Sequence, residues 1–361
     1  MAIRFGTSVG DRLRGSNGTD LIRGYEGDDL LIGDDDVDSG NDLMIGDEGN
    51  DTFYGGVYDD SGETAVSSDS GSDTMLGGEG DDVFHSGGGA DLIDGGDGYD
   101  MAYIDRSDLD GGMSVFGNGF GGRVRSIGSS NSMTISDGSV VGDVEGLELT
   151  GTDFNDTIFL ANNYALEDVT VYGGQGNDNI VTGDSEDVIE GGEGRDIISM
   201  GAGDDTADGG EGRDIIDGGA GNDSIIGGGN NDILSGGEGE DVLLGGSGED
   251  VLIGGAGADE LDGGEGFDTY TGGEGADSFL MAWGEMEYDL VTDYDSVNDT
   301  ITVSFGEGIT EEDVLISVLS EEYGLVSVQV TGEDDFVTTE YFIAQGVLEA
   351  SDIDTSFVPL G

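Results

Sequence analysis

From Gly173 to Leu280 the chain repeats a nine-residue unit twelve times with no insertion. The stretch "GGEGRDIID GGAGNDSII GGGNNDILS", Gly209 to Ser235, shows the pattern: glycines open each block, an aspartate stands sixth, and a short aliphatic tail closes it. Position 6 is aspartate in every unit: Asp178, Asp187, Asp196, Asp205, Asp214, Asp223, Asp232, Asp241, Asp250, Asp259, Asp268 and Asp277. Position 2 is always glycine, and position 8 is always apolar, from Ile180 and Ile189 through Leu234 and Leu243 to Tyr270 and Phe279. So short a period confines the chain to a stack, because one unit can bury its apolar residue only against neighbouring units. An apolar centre with mixed residues at positions 7 and 9 marks a very short strand, one side chain inward and its neighbours outward. The GGxGxD segment reads as a turn, since glycine takes positive φ cheaply and lets carbonyls crowd together.

A less regular array spans 15–103, with sixth-position aspartates Asp20, Asp29, Asp42, Asp51, Asp73, Asp82, Asp91 and Asp100. Extra residues in "GDDDVDSGNDLMI" and between Gly55 and Leu76 fall in turn segments, where a bulging loop leaves the strands in register. Residues 104–172 hold alternating runs such as "MSVFGNG" and "SMTIS", then "GTDFNDTIF" with Asp156 in the sixth place. Beyond Leu280 glycine thins out, and "EDVLISVL", "GLVSVQV" and "TTEYFIA" alternate as ordinary strands. The expected organisation is a lead-in at 1–14, a first array at 15–103, an intervening β segment at 104–172, a second array at 173–280 and a C-terminal β domain at 281–361.

Charge sets the next constraint. Asp and Glu number 82 against nine basic residues, all Arg, for a formal net charge of -73. Such a field repels nucleic acid and anionic lipid, so neither is an expected partner. Charge this dense usually gives disorder, yet 35% of the residues are hydrophobic and regularly placed. The two facts are reconciled if the missing positive charge arrives as metal cations. With no cysteine, disulfides and thiolate sites are excluded. No apolar run approaches the roughly 18 residues of a membrane helix, and "MAIRFGTSVGDRLRG" lacks the apolar segment of a secretory signal. The expectation is a chain that remains in the cytoplasm or leaves by a route that reads something other than its N-terminus.

Other motifs carry bland readings. His85, the one histidine, follows Phe84 at a ninth position and reads as an ordinary surface residue. "GTSVG" at Gly6 to Gly10 matches G-x-S-x-G, but a Ser8 nucleophile needs a strand before it, a helix after it and a partner histidine. "DDDVDSGNDLMI" resembles an EF-hand loop at Asp34, Asp36 and Asp38, with Ser39 replacing the required glycine and Ile45 the required glutamate. No H-E-x-x-H occurs, so zinc-protease chemistry is not expected, and the chain is read as a non-enzyme.

The nonapeptide GGxGxDxUx resembles that of the RTX, or haemolysin-type, calcium-binding repeat family. "GDVEGLELTGTDFNDTIF" is similar to a strand-and-turn segment that often interrupts such arrays, and "DLVTDYDSVNDTITV" to one that closes them. The resemblance implies an all-β fold, a right-handed parallel β-roll with two repeats per coil, and several calcium ions bound between stacked turns by the aspartates named above. It also implies export through type I secretion machinery that reads an uncleaved C-terminal signal, and an extracellular destination.

The chemistry supports the ion on its own terms. Calcium takes six to eight oxygens from carboxylates and carbonyls in a tolerant geometry, and a glycine-rich turn ending in aspartate offers both. If two repeats make a coil, aspartates 18 residues apart stack at about the 4.8 Å strand spacing. Bare, such a ladder repels itself by about 1 kcal/mol per neighbouring pair even in water. Magnesium prefers a tighter octahedron, and zinc prefers nitrogen and sulfur. Three functions fit: a secreted module that folds on calcium, a calcium-dependent surface or matrix adhesin with a glycan or cell-surface partner, and a polysaccharide-modifying enzyme.

Overall fold

The computed structural model describes residues 1–33, 40–56, 71–107, 113–116, 132–135, 140–142, 144–160, 166–282, 287–295, 297–304, 314–320, 325–331, 337–344 and 353–354. Asp34, Asp36, Asp38 and Ser39 of the EF-hand-like stretch lie outside them, as does much of 104–172 and of 281–361. Every element among the described residues is a β-strand. They form two compact units, Met1–Ile189 and Glu190–Gly361.

In Met1–Ile189, successive strands alternate between two parallel sheets. Ile3–Phe5, Leu21–Glu26, Leu43–Glu48, Thr74–Glu79 and Leu92–Asp97 build one. Arg12–Arg14, Leu30–Ile32, Thr52–Tyr54, Val83–Ser86, Met101–Asp105, Gly146–Thr150 and Asp168–Gln175 build the other. Two repeats therefore complete one coil of a parallel β-roll. Leu21 pairs with Leu43 and Leu43 with Thr74 despite the insertions between them, so extra residues leave the ladder in register. After Leu92–Asp97 the first sheet departs from the pattern: Val140–Gly142 joins it in parallel, followed by antiparallel pairings to Ser132–Ile135 and Ser114–Phe116.

Glu190–Gly361 is built the same way. One sheet stacks Ile197–Ala202, Ile215–Ala220, Ile233–Glu238, Val251–Gly257 and Thr269–Gly275. The other stacks Thr206–Gly212, Ser224–Gly229, Val242–Ser247, Glu260–Glu265, Ser278–Ala282 and Thr300–Ser304. The roll is followed by an antiparallel set, Val314–Ser320, Leu325–Thr331 and Val337–Ala344.

Position 8 supplies the core. Ile198, Ile216, Leu234 and Leu252 on one sheet and Ala207, Ile225, Leu243 and Leu261 on the other are at most 1% exposed. In the first array Ile22, Met44, Met75 and Ile93, with Leu31, Phe53, Phe84 and Ala102, do the same. Each fully buried aliphatic side chain contributes about 1.5–3 kcal/mol. Position 7 faces outward, and Ile197, Ile215 and Ile233 form an exposed ladder in direct register.

The strands are longer than the three-residue tails read from the sequence. They run on into the opening glycines, so that Gly219 pairs with Gly237 and Ala220 with Glu238. Stacked turns keep the backbone in hydrogen-bonding reach, and glycine makes that approach possible. Gly221 has φ +137°, and a Cβ there would collide with the Gly203 carbonyl of the turn below.

His85 lies on the outward face of its strand, half-buried. Its ring lies between Tyr54 and Tyr103 with centroids 4.3 and 4.8 Å away, and burial lowers its pKa to about 4.

Candidate metal centres

The roll brings the sixth-position aspartates into rows along its turn edges, and every one named from the sequence is at most 3% exposed. Along each row, the Oδ1 of one aspartate accepts from the backbone N–H of the aspartate in the turn before it. The Asp196 N–H donates to Asp214 Oδ1 at 2.8 Å, Asp214 to Asp232 at 2.8 Å, Asp232 to Asp250 at 2.7 Å and Asp250 to Asp268 at 2.9 Å. On the opposite edge, Asp205 donates to Asp223, Asp223 to Asp241, Asp241 to Asp259 and Asp259 to Asp277. The first array repeats the device from Asp20 to Asp42, Asp73 and Asp91, and from Asp29 to Asp51, Asp82 and Asp100. Asp156 donates to Asp178 in the same way.

The second carboxylate oxygen divides the turns into two kinds. In Asp29, Asp51, Asp82, Asp214, Asp223, Asp232, Asp241, Asp250, Asp259, Asp268 and Asp277 the buried Oδ2 has no hydrogen-bond partner among the described residues. A buried carboxylate oxygen left so costs several kcal/mol unless a cation or proton satisfies it. Burial, with neighbouring carboxylates adding to it, pushes Asp51, Asp82, Asp232 and Asp268 up to about 7. The same causes raise Asp223 and Asp259 to about 6.

In the other kind the turn supplies its own donor. The Ser16 N–H and Oγ–H donate to Asp20 Oδ2 at 2.5 and 2.9 Å. Ser86 Oγ donates to Asp91 Oδ2 at 2.5 Å, and Arg106 lies 3.6 Å from the same atom. The Thr152 N–H donates to Asp156 Oδ2 at 2.7 Å while its hydroxyl reaches Oδ1. Asp187 accepts from Ser185 Oγ and the Gly183 N–H. Burial acts to raise Asp20, but hydrogen bonds from Ala2 and Ser16 hold it below its ordinary value. In "GSNGTD", "SGGGAD", "GTDFND" and "TGDSED" a Ser or Thr replaces glycine at position 1 or 2.

The structure adds members that the sequence reading left out. Asp11 ends "GTSVGD", and Thr7 donates to its Oδ2 through both N–H and hydroxyl, at 2.6 and 2.8 Å; Ser8 thus belongs to a turn with no helix after it. Glu145 stands in for an aspartate by accepting from the Asp100 N–H at 2.9 Å. Asp289 and Asp299 continue the rows above Asp268 and Asp277.

The donor set suits a hard cation. A Cβ at Gly209 would lie 2.9 Å from Asp214 Oδ2 and 2.7 Å from the Gly227 carbonyl oxygen, so a carboxylate and the carbonyl of the next stacked turn converge where only glycine leaves room. Among the described residues no cluster of three or more His, Cys, Asp or Glu side chains forms a cage by itself. Carboxylate and carbonyl oxygens of this kind are donors that calcium accepts and zinc does not favour.

The profile of the RTX calcium-binding nonapeptide repeat, four copies to a profile, matches residues 5–39, 36–60, 67–102, 172–207, 208–243 and 244–279. No curated protein matches the chain. Among solved structures, the chain is similar to the AlgE6R3 subunit of the Azotobacter vinelandii mannuronan C5-epimerase, at 29% identity over 35% of this chain and 78% of that one, with a TM-score of 0.27.

Proposed function

Because the chain belongs to the RTX calcium-binding nonapeptide repeat family, we propose that it is a secreted module that folds when calcium binds between its stacked turns. The observation that carries this reading is the two rows of buried sixth-position aspartates between Asp214 and Asp277, whose Oδ2 atoms have no hydrogen-bond partner among the described residues. Together with opening carbonyls such as that of Gly227, these carboxylates would hold the ions. When bound, calcium supplies the positive charge that turns neighbour repulsion into attraction. The turns of Asp11, Asp20, Asp156 and Asp187 satisfy their carboxylates internally and depend on the ion least.

Extracellular calcium modules bind at about 10⁻⁴ to 10⁻³ M. At ten times Kd each occupied site contributes about 1.4 kcal/mol, and a few such sites rival a net stability of about 5–15 kcal/mol. A chain of this kind stays unfolded and exportable in a calcium-poor cytoplasm and folds outside, which is the logic of type I secretion of the whole polypeptide. Far-UV circular dichroism during a calcium titration tests the proposal: a cooperative gain of β structure in the stated range is expected, and a full β spectrum in excess chelator would overturn it.

A further inference from the structure

Arg106 is the largest fully buried side chain among the described residues, and in a molecule of net charge -73 its position is informative. Its Nη1 donates to the carbonyls of Ser86 at 3.1 Å, of Asp105 at 3.0 Å, and of Gly87. Its Nη2 donates to Ser86 Oγ at 3.1 Å and lies 3.6 Å from Asp91 Oδ2. Backbone carbonyls of a turn opening and the carboxylate that closes the same turn are the oxygens that a calcium ion would gather elsewhere in the roll. The guanidinium therefore sits among a calcium-type donor set.

Register explains how it arrives there. Ser86 opens the turn that ends at Asp91, and the residue paired above Ser86 on the next strand is Ile104. Where a regular array would stack glycines in the next turn, this chain reads Ile104, Asp105, Arg106. No second GGxGxD turn follows to complete an ion site over Asp91. The Arg106 backbone is fixed by donation from its N–H to the Thr150 carbonyl at 3.0 Å. Burying a guanidinium is tolerable only when its donors and charge are matched, and here they are.

We propose that Arg106 is a built-in cation that closes the Asp91 turn in place of calcium, so that the edge running from Asp20 to Asp91 ends in a metal-independent cap. The proposal rests on the reading that the partnerless carboxylates elsewhere hold calcium. The cap keeps the last turn from exposing a half-made ion site where the chain leaves the regular stack. It places the positive charge in the sequence, where neither chelation nor dilution removes it.

The test is hydrogen exchange on the full chain in saturating calcium, comparing the parent, Arg106→Gln, and Arg106→Gln with Asp91→Asn. Glutamine keeps donors but removes the charge. Exchange across 86–106 should rise at least about tenfold in the single variant, since breaking a buried pair leaves an uncompensated charge. Protection should return with Asp91→Asn, or at higher calcium with one more ion bound. Peptides from 196–277 serve as the internal control for folding. Unchanged exchange across 86–106 in Arg106→Gln would overturn the proposal, as would a loss that neither calcium nor Asp91→Asn repairs. Failure of the underlying reading shows separately, as protection of 196–277 in the parent that is indifferent to chelator.

Discussion

The turns from Asp214 to Asp277 and those of the first array share one backbone design but meet their charge differently. In the former, each sixth-position Oδ2 is buried without a hydrogen-bond partner among the described residues. In the latter, Asp29, Asp51 and Asp82 match that state, while Asp20 is closed by Ser16 and Asp91 by Ser86 and Arg106. A hydroxymethyl group added at position 1 or 2, glycine to serine, thus accompanies a carboxylate that finds its donor inside the protein, and on the proposed function such a turn has less need of an outside cation. The difference teaches that a turn opening on Ser or Thr supplies its own donor, whereas one opening on glycine or another residue without a hydroxyl leaves its carboxylate, on the proposed function, to a cation.

The largest expected effect tests the shared backbone. Gly221→Ala places a Cβ against the Gly203 carbonyl at φ +137°, whereas Gly18, at φ +141° in the same turn position, has open space around it. Gly18→Ala should cost about 1 kcal/mol for its conformation alone, and Gly221→Ala several-fold more. Thermal melts of the two variants in saturating calcium would measure the gap, and equal losses would mean that stacking does not limit the turn.

Charge comes next. Asp232→Asn keeps the Oδ1 acceptor for the Asp214 N–H but halves what the turn offers a cation. The calcium midpoint should rise about tenfold, since a hydrogen bond or contact to a charged group is worth about 1.5–3 kcal/mol. Asp20→Asn, beside Ser16, should shift it less. Titrations followed by circular dichroism would decide, and equal shifts would erase the distinction between the two kinds of turn.

Protons should partly replace the ion. Asp51, Asp82, Asp232 and Asp268 titrate near 7 in the folded roll against 3.8 ordinarily, so their contribution to stability is complete below 3.8 and is lost as pH rises through about 7. In chelator the roll should be more structured at pH 5.5 than at pH 8. With calcium present the midpoint should rise on acidification, because protons compete for the same oxygens. Asp20, held low, runs the other way: its contribution is present above 3.8 and fades as pH falls. A chelated spectrum that does not change with pH would contradict the burial of these carboxylates.

The smallest effect belongs to the outward ladder. Ile215→Ser, at a residue 41% exposed, should change stability by within about 0.5 kcal/mol, whereas Ile216→Ala, one residue on and 1% exposed, should cost about 2–5 kcal/mol. Denaturant midpoints in calcium compare them directly.

Much of this was legible in the sequence. The nine-residue period located the strands, the position-8 core from Ile22 to Phe279 and the buried aspartates, because one physical need recurs at each place and writes itself as a repeat. What the period could not reveal was the partner of each Oδ2. Ser16, Thr152 and Thr182 look like loose matches to glycine until the turn geometry shows a hydroxyl in reach of the carboxylate. Asp11 was hidden because "GTSVGD" reads as a serine motif before it reads as a turn. Arg106 was invisible for a different reason: it follows no repeat, and only the pairing of Ser86 with Ile104 carries it over Asp91. Excess charge suggested that all compensation came from outside, and at that turn it does not.

The most direct measurement is hydrogen exchange of the intact chain with calcium and with chelator at pH 8, read peptide by peptide across 214–277. The account predicts strong protection with calcium and its near-complete loss without it throughout that stretch, where each sixth-position Oδ2 lacks a hydrogen-bond partner among the described residues. Protection that persists across 214–277 in excess chelator would contradict the claim that a cation holds these turns together.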